Sequence, residues 1–163
     1  MSQYQQVPGT PKEILRSIRV LFGAIVTGTV IFAIIIVVVI KLQGHLMPET
    51  EEYQSVFLYI ATGLAIICGL VAVNQYNKGI AAAKDSLIPL PDKLNLYRAT
   101  LIKYMALCEG SALLWIILFF MTVNYAALGC TSVMIIAMLR KTPTLKRVVD
   151  DLSLDGKQQQ ELE

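Results

Sequence analysis

Glu109 is the one carboxylate inside any of the four long apolar runs of this chain. It sits in the run 101–123, which is long enough to cross a bilayer as a helix. A charged side chain at that depth costs roughly 2.5 kcal/mol or more, so it is expected to face other helices and to have a partner there. Such a group has three chemical uses. It can fix helix register as a hydrogen-bonded anchor. It can carry a proton or a cation in a small transport component. It can belong to an enzyme site or to a pocket for a lipid headgroup. Enzyme chemistry needs several convergent groups, and no second carboxylate lies in a span. The only histidine, His45, falls in an acidic connection with Glu49, Glu51 and Glu52. A cation could bind there, although exposed acidic loops are ordinarily just solvated. No GxSxG, HExxH or Walker pattern occurs. No catalytic residue, cofactor or metal site is therefore expected.

At helical spacing Glu109 shares a face with Ile102, Met105, Ala112 and Ile116. Arg98 is on that face too, but about 16 Å away along the axis, too far to pair. Lys103 points elsewhere. A partner must come from another helix. Asn74 and Thr27 lie at similar depth in their own runs. Arg19 and Arg140 lie nearer one surface, with stems long enough to reach inward. Trp115 falls mid-run, away from the interfacial layer, so its indole N–H needs an acceptor or a cavity. Glu109, Asn74, Thr27, Trp115, Arg140 and Arg19 form the candidate intramembrane polar set. A plain packing role for Trp115 competes with a ligand role.

The elements that position these residues follow from composition. Of 163 residues, 55% are hydrophobic, and the mean hydropathy is +0.60. The apolar runs are 21–42, 55–76, 101–123 and 125–140. The last is short and spans only if it tilts little or extends past Arg140. The first is too long for a signal-peptide core and has no cleavage pattern after it, so it reads as a retained anchor. The net charge of +2 carries no nucleic-acid footprint. Cys68, Cys108 and Cys130 all fall in apolar runs, without a CxxC, and read as small apolar residues.

Basic residues cluster on alternate connections. Lys12, Arg16 and Arg19 precede the first run; Lys78, Lys84, Lys93, Arg98 and Lys103 lie between the second and the body of the third; Arg140, Lys141, Lys146 and Arg147 follow the fourth. The other two connections carry none of comparable weight. The positive-inside rule places both termini in the cytoplasm. Tyr53, Tyr76, Tyr97, Tyr104 and Tyr125 near run ends suit an interfacial belt.

Local signals set the helix ends. Thr10-Pro11-Lys12-Glu13 is a capping box with proline at the first helical position, after residues 1–10 that read as a disordered tail. Pro89 and Pro91 break the chain, and Asp92 is placed to cap the third helix. Thr142-Pro143 repeats the first start. Leu145, Val148, Val149 and Leu152 then give an amphipathic helix within 143–163, which docks on the protein's own helices or lies on the inner leaflet. The helix ends at Asp155-Gly156, before a polar tail. Ala61, Ala65 and Gly69 form a small-residue ridge suited to close helix approach. Gly23 with Thr27 and Ala106 with Gly110 repeat the spacing. Such faces serve intrachain packing or self-association.

Three short motifs stand in the second half: Leu107-Cys108-Glu109-Gly110, Arg140-Lys141-Thr142-Pro143-Thr144 and Asp151-Leu152-Ser153-Leu154. In these the chain resembles a family of small four-span bacterial membrane proteins of uncharacterised activity. That family has Leu-Glu-Gly in its third helix, an Arg/Pro-Thr junction after the fourth and an Asp-Leu-x-Leu tail. Here Cys108 replaces the leucine, and Lys-Thr intervenes before Pro143. The resemblance implies a bacterial inner-membrane location and no activity. Rotor-ring proteolipids also carry a membrane glutamate, but their glycine-rich helices are missing here. The expected architecture is all-α: a polytopic membrane protein with a four-helix antiparallel transmembrane bundle over 11–142 and a C-terminal cytoplasmic amphipathic helix. The expected function is that of a non-enzymatic integral membrane protein, an assembly or interaction partner whose surroundings are the lipid bilayer. The alternative is a proton- or cation-coupled transport component using Glu109.

Overall fold

The computed structural model describes residues 10–43, 54–84 and 88–162. The expected disorder at 1–9, the acidic connection with His45, and Tyr53 lie outside the described residues. Among the described residues every element is a helix: α1 Pro11–Gln43, α2 Gln54–Ala83, α3 Leu90–Thr122, α4 Tyr125–Leu139, α5 Leu145–Leu152 and α6 Gly156–Gln160. The first three are long and apolar enough to cross a membrane. In lipid a helix is the form that satisfies every backbone group within one segment, so such runs have little other choice. α4 has 15 residues, about 22 Å at 1.5 Å per residue, against a hydrocarbon core of about 30 Å.

α3 is the central helix. α1, α2 and α4 each pack along it; α1 and α4 meet briefly, and α2 also touches α5. Half of the apolar stretch of α3 is buried, against 11% for α1 and 17% for α2. The outer side of α1 shows Ile31, Ile34, Ile35 and Val38, and that of α2 shows Ile60, Ile67 and Leu70. These faces suit hydrocarbon.

The helix ends obey local chemistry, with two departures from the sequence expectation. The capping box at α1 forms: Glu13 Oε2 accepts from Thr10 N–H at 2.9 Å, and Thr10 Oγ1 accepts from Glu13 N–H at 3.4 Å. α3 starts at Leu90 behind Pro89, with no side-chain cap. Asp92 is inside the first turn, where its charge meets the helix dipole instead of capping it. The C-terminal helix starts two residues later than Thr142-Pro143 suggests. Thr142 Oγ1 donates back to the Leu139 carbonyl at 2.5 Å, closing α4. Thr144 caps α5 by accepting from Arg147 N–H at 3.3 Å. Between α3 and α4 the chain reverses over Val123, in the left-handed region at φ 51°, and Asn124, whose Oδ1 accepts from Ala126 N–H at 2.9 Å. The C-terminal residues do not trail off. Asp155 Oδ1 accepts from Gln158 N–H at 2.8 Å to start α6, and Leu162 is buried.

Shape, more than polarity, joins the helices through their apolar stretches. The buried hydroxyls of Thr29, Ser111, Thr122 and Thr131 all donate to the carbonyl four residues back in their own helix. Close approach occurs at Gly79 of α2. A Cβ built there would lie 2.5 Å from Thr100 Cγ2 and 2.9 Å from its Cβ. On the small-residue ridge, Ala61 and Ala65 are buried, and Ala72 continues the line. Gly69 stands apart: a Cβ there meets nothing within 4 Å.

Candidate functional site

Two places hold polar chemistry against apolar walls. The first is Glu109. Of the residues sharing its face, Met105, Ala112 and Ile116 are buried, and Met105 closes onto Phe22 and Ile25 of α1. Glu109 sits at the border of that contact and is only half-buried. Beside it runs the open side of α3, with Ile102, Ala106, Gly110 and Ile117 exposed. Among the described residues no hydrogen bond or ion pair reaches the Glu109 carboxylate.

The other sequence candidates are not gathered around it. Asn74 on α2 and Thr27 on α1 are exposed. Arg19 Nε donates to the Pro143 carbonyl at 3.1 Å. Arg140 borders a cavity at the end of α4. Trp115 is 2% exposed, and its indole N–H has no acceptor among the described residues. The cysteines are free thiols.

The second place is the end of the molecule where α2, α3, α4 and α5 converge. Tyr76 O–H donates to Asp151 Oδ2 at 2.6 Å. Arg147 Nε lies 3.6 Å from the same oxygen, within ion-pair reach but beyond hydrogen-bond distance. An Arg147 guanidinium N–H also donates to the Arg140 carbonyl. Lys141 Nζ stands 4.0 Å over the Tyr76 ring, a cation–π contact. The Tyr76 and Tyr104 rings meet edge-on at 5.4 Å, and Tyr104 O–H donates to the Ala137 carbonyl of α4 at 3.1 Å. Tyr97 O–H lies buried beside Tyr76, outside hydrogen-bond geometry.

Asp151 thus accepts from Tyr76 and pairs with Arg147. Arg140 and Lys141 have no acidic partner among the described residues. Burial, with the Arg147 charge beside it, pushes the Lys141 pKa below its ordinary value; Asp151 partly opposes this. The cations border a cavity of about 640 Å³ walled by Tyr104, Val133 and Ala137. Tyr104, Val133 and Ala137 also border a second cavity of about 450 Å³, an almost wholly apolar groove between α2 and α4 with α3 as its floor. Gly69 and Val73 line its α2 wall, and Trp115 lies in its floor.

Sequence reasoning assigned Tyr76, Tyr97 and Tyr104 to an interfacial belt. They are instead 3%, 0% and 4% exposed, packed in protein, whereas Tyr125 faces out at 68%. The cluster was missed because its members lie on separate helices with no shared spacing. One signal was available: Asp151 is the acidic residue one turn after Arg147 on a helix whose apolar stripe must dock near the ends of α2 and α3. No family model, curated protein or solved structure matches this chain, so these sites rest on their own geometry.

Proposed function

We propose that this chain is a non-enzymatic integral membrane protein of the bacterial inner membrane that acts as an assembly or interaction partner. The observation that carries the reading is Glu109, half-buried and unpaired beside the exposed Ala106 and Gly110 of α3. Carboxylates in membrane helices are paired or functional, and small residues let a foreign helix approach closely. A partner helix with a donor or a cation at this depth would satisfy both features. The test places a photoreactive side chain at Gly110, where an added Cβ meets nothing within 4 Å. In native membranes a protein adduct is expected. Glu109→Leu should abolish it, and Glu109→Gln, which keeps hydrogen bonding, should retain most of it. Adducts to lipid alone would refute the reading. A proton or cation flux in reconstituted vesicles that Glu109→Gln abolishes would replace it with the transport alternative.

The same reading has four crossings in an antiparallel bundle with cytoplasmic termini. The alternating basic connections support it. So does the tight α3–α4 turn, which sends α4 back along α3. α4 would cross nearly upright, with Arg140 and Lys141 already at the headgroups. Reporter fusions after Lys84 and after Lys157 should read cytoplasmic, and one at Glu51 external. An external signal at Lys84 would rule out this topology.

A further inference from the structure

We propose that the groove between α2 and α4 holds one acyl chain of an anionic phospholipid, its phosphate set against Arg140, Lys141 and Arg147. The first support is shape. α2 and α4 both pack on α3 and leave an apolar channel between them. Along α3 the channel runs from Tyr104 to Trp115, eleven residues or about 16 Å. That matches the depth of one leaflet, about half of a 30 Å hydrocarbon core.

The second support is charge. The channel opens at one end into the basic cavity, and Tyr104, Val133 and Ala137 belong to both. There Arg140, Lys141 and Arg147 border the cavity and no described carboxylate does; Asp151, the partner of Arg147, is also engaged by Tyr76. Arg140 and Lys141 keep their donors for an outside anion. An apolar channel with a cationic mouth fits an amphiphile with a negative head. A free anion would leave the channel unfilled, and a neutral lipid would leave the cations uncompensated. Basic pockets between membrane helices bind anionic headgroups by this logic. The site lies on a different side of α3 from Glu109, so it does not depend on the pairing proposed there.

Trp115 is the only tryptophan in the chain and lies in the channel floor, so it reports occupancy directly. The full chain is reconstituted in phosphatidylcholine vesicles, and lipid with brominated chains is titrated in. Brominated phosphatidylglycerol should quench Trp115 at a lower mole fraction than brominated phosphatidylcholine. Arg140→Gln combined with Lys141→Gln should bring the two curves together, with a shift of roughly fivefold per cation removed. Gly69→Leu adds a side chain on the channel's α2 wall, where its first carbon meets nothing within 4 Å. It should weaken quenching by both lipids while the circular dichroism and thermal melt stay unchanged. Inorganic phosphate should leave the quenching as it is. Glu109→Gln should leave both curves in place, which separates this site from the helix-pairing reading. Coincident curves for the two lipids in the unaltered protein would overturn the proposal, as would recovery of fluorescence by phosphate alone.

Discussion

Gly79→Leu is expected to unseat α2 from α3 and to cost about 3 kcal/mol, the upper part of the overpacking range. Even the first added carbon would overlap the Thr100 side chain. The Thr100 Cβ, fixed by its backbone, lies 2.9 Å from that carbon, so no turn about χ1 relieves the overlap. The helix must move, and Tyr76 and Ile80 would leave the core with it. Gly69→Leu is the matched control. It lies on the same helix and makes the same chemical change, but into open space. It should shift stability by no more than about 0.5 kcal/mol. Thermal melts of both variants in detergent decide the matter. Equal losses would mean that α2 does not approach α3 at Gly79.

Leu152→Ala is expected to release α5, with a local cost of about 2–5 kcal/mol. Leu152 and Val148 are fully buried in a core shared with Ile18, Tyr76 and Leu94. α5 has only 8 residues and is too short to hold itself in water, so it persists through docking. Amide exchange over 145–162 should rise sharply, while α1–α3 keep their protection. Tyr76→Phe should loosen the same helix by less, about 1 kcal/mol, because water can still reach the Asp151 carboxylate. Unchanged exchange in Leu152→Ala would show that α5 is held by its polar contacts instead.

These variants also mark where local reading stops. The capping box at Thr10–Glu13, the proline break before α3 and the amphipathic period of α5 all involve residues a few positions apart. Neighbours in sequence are neighbours in space there, so the pattern suffices. The departures come where a distant group intervenes. Thr142 closes α4 while the Pro143 carbonyl accepts from Arg19, and α5 starts later in consequence. The tyrosines near helix ends have the composition of an interfacial belt, but three of them pack in protein: Tyr76 and Tyr97 in the core that Val148 and Leu152 of α5 share, and Tyr104 against Tyr76 and α4. The polar set around Glu109 shows the same limit. Depth along each helix can be counted, but the direction each residue faces cannot, and Asn74 and Thr27 face out.

By its sequence alone this chain is committed to long apolar helices. Runs of about twenty apolar residues cannot stay in water, and in lipid only a helix satisfies their backbone. The tertiary structure decided which faces meet. Lipid tails are as apolar as leucine, so hydrophobicity does not rank one face over another. Fit does: Gly79 seats against Thr100 while Gly69, ten residues earlier, borders an open channel. The same fit leaves Glu109 at the edge of α3 and gathers Tyr76, Lys141, Arg147 and Asp151 at one end, because close contact between helices is settled atom by atom.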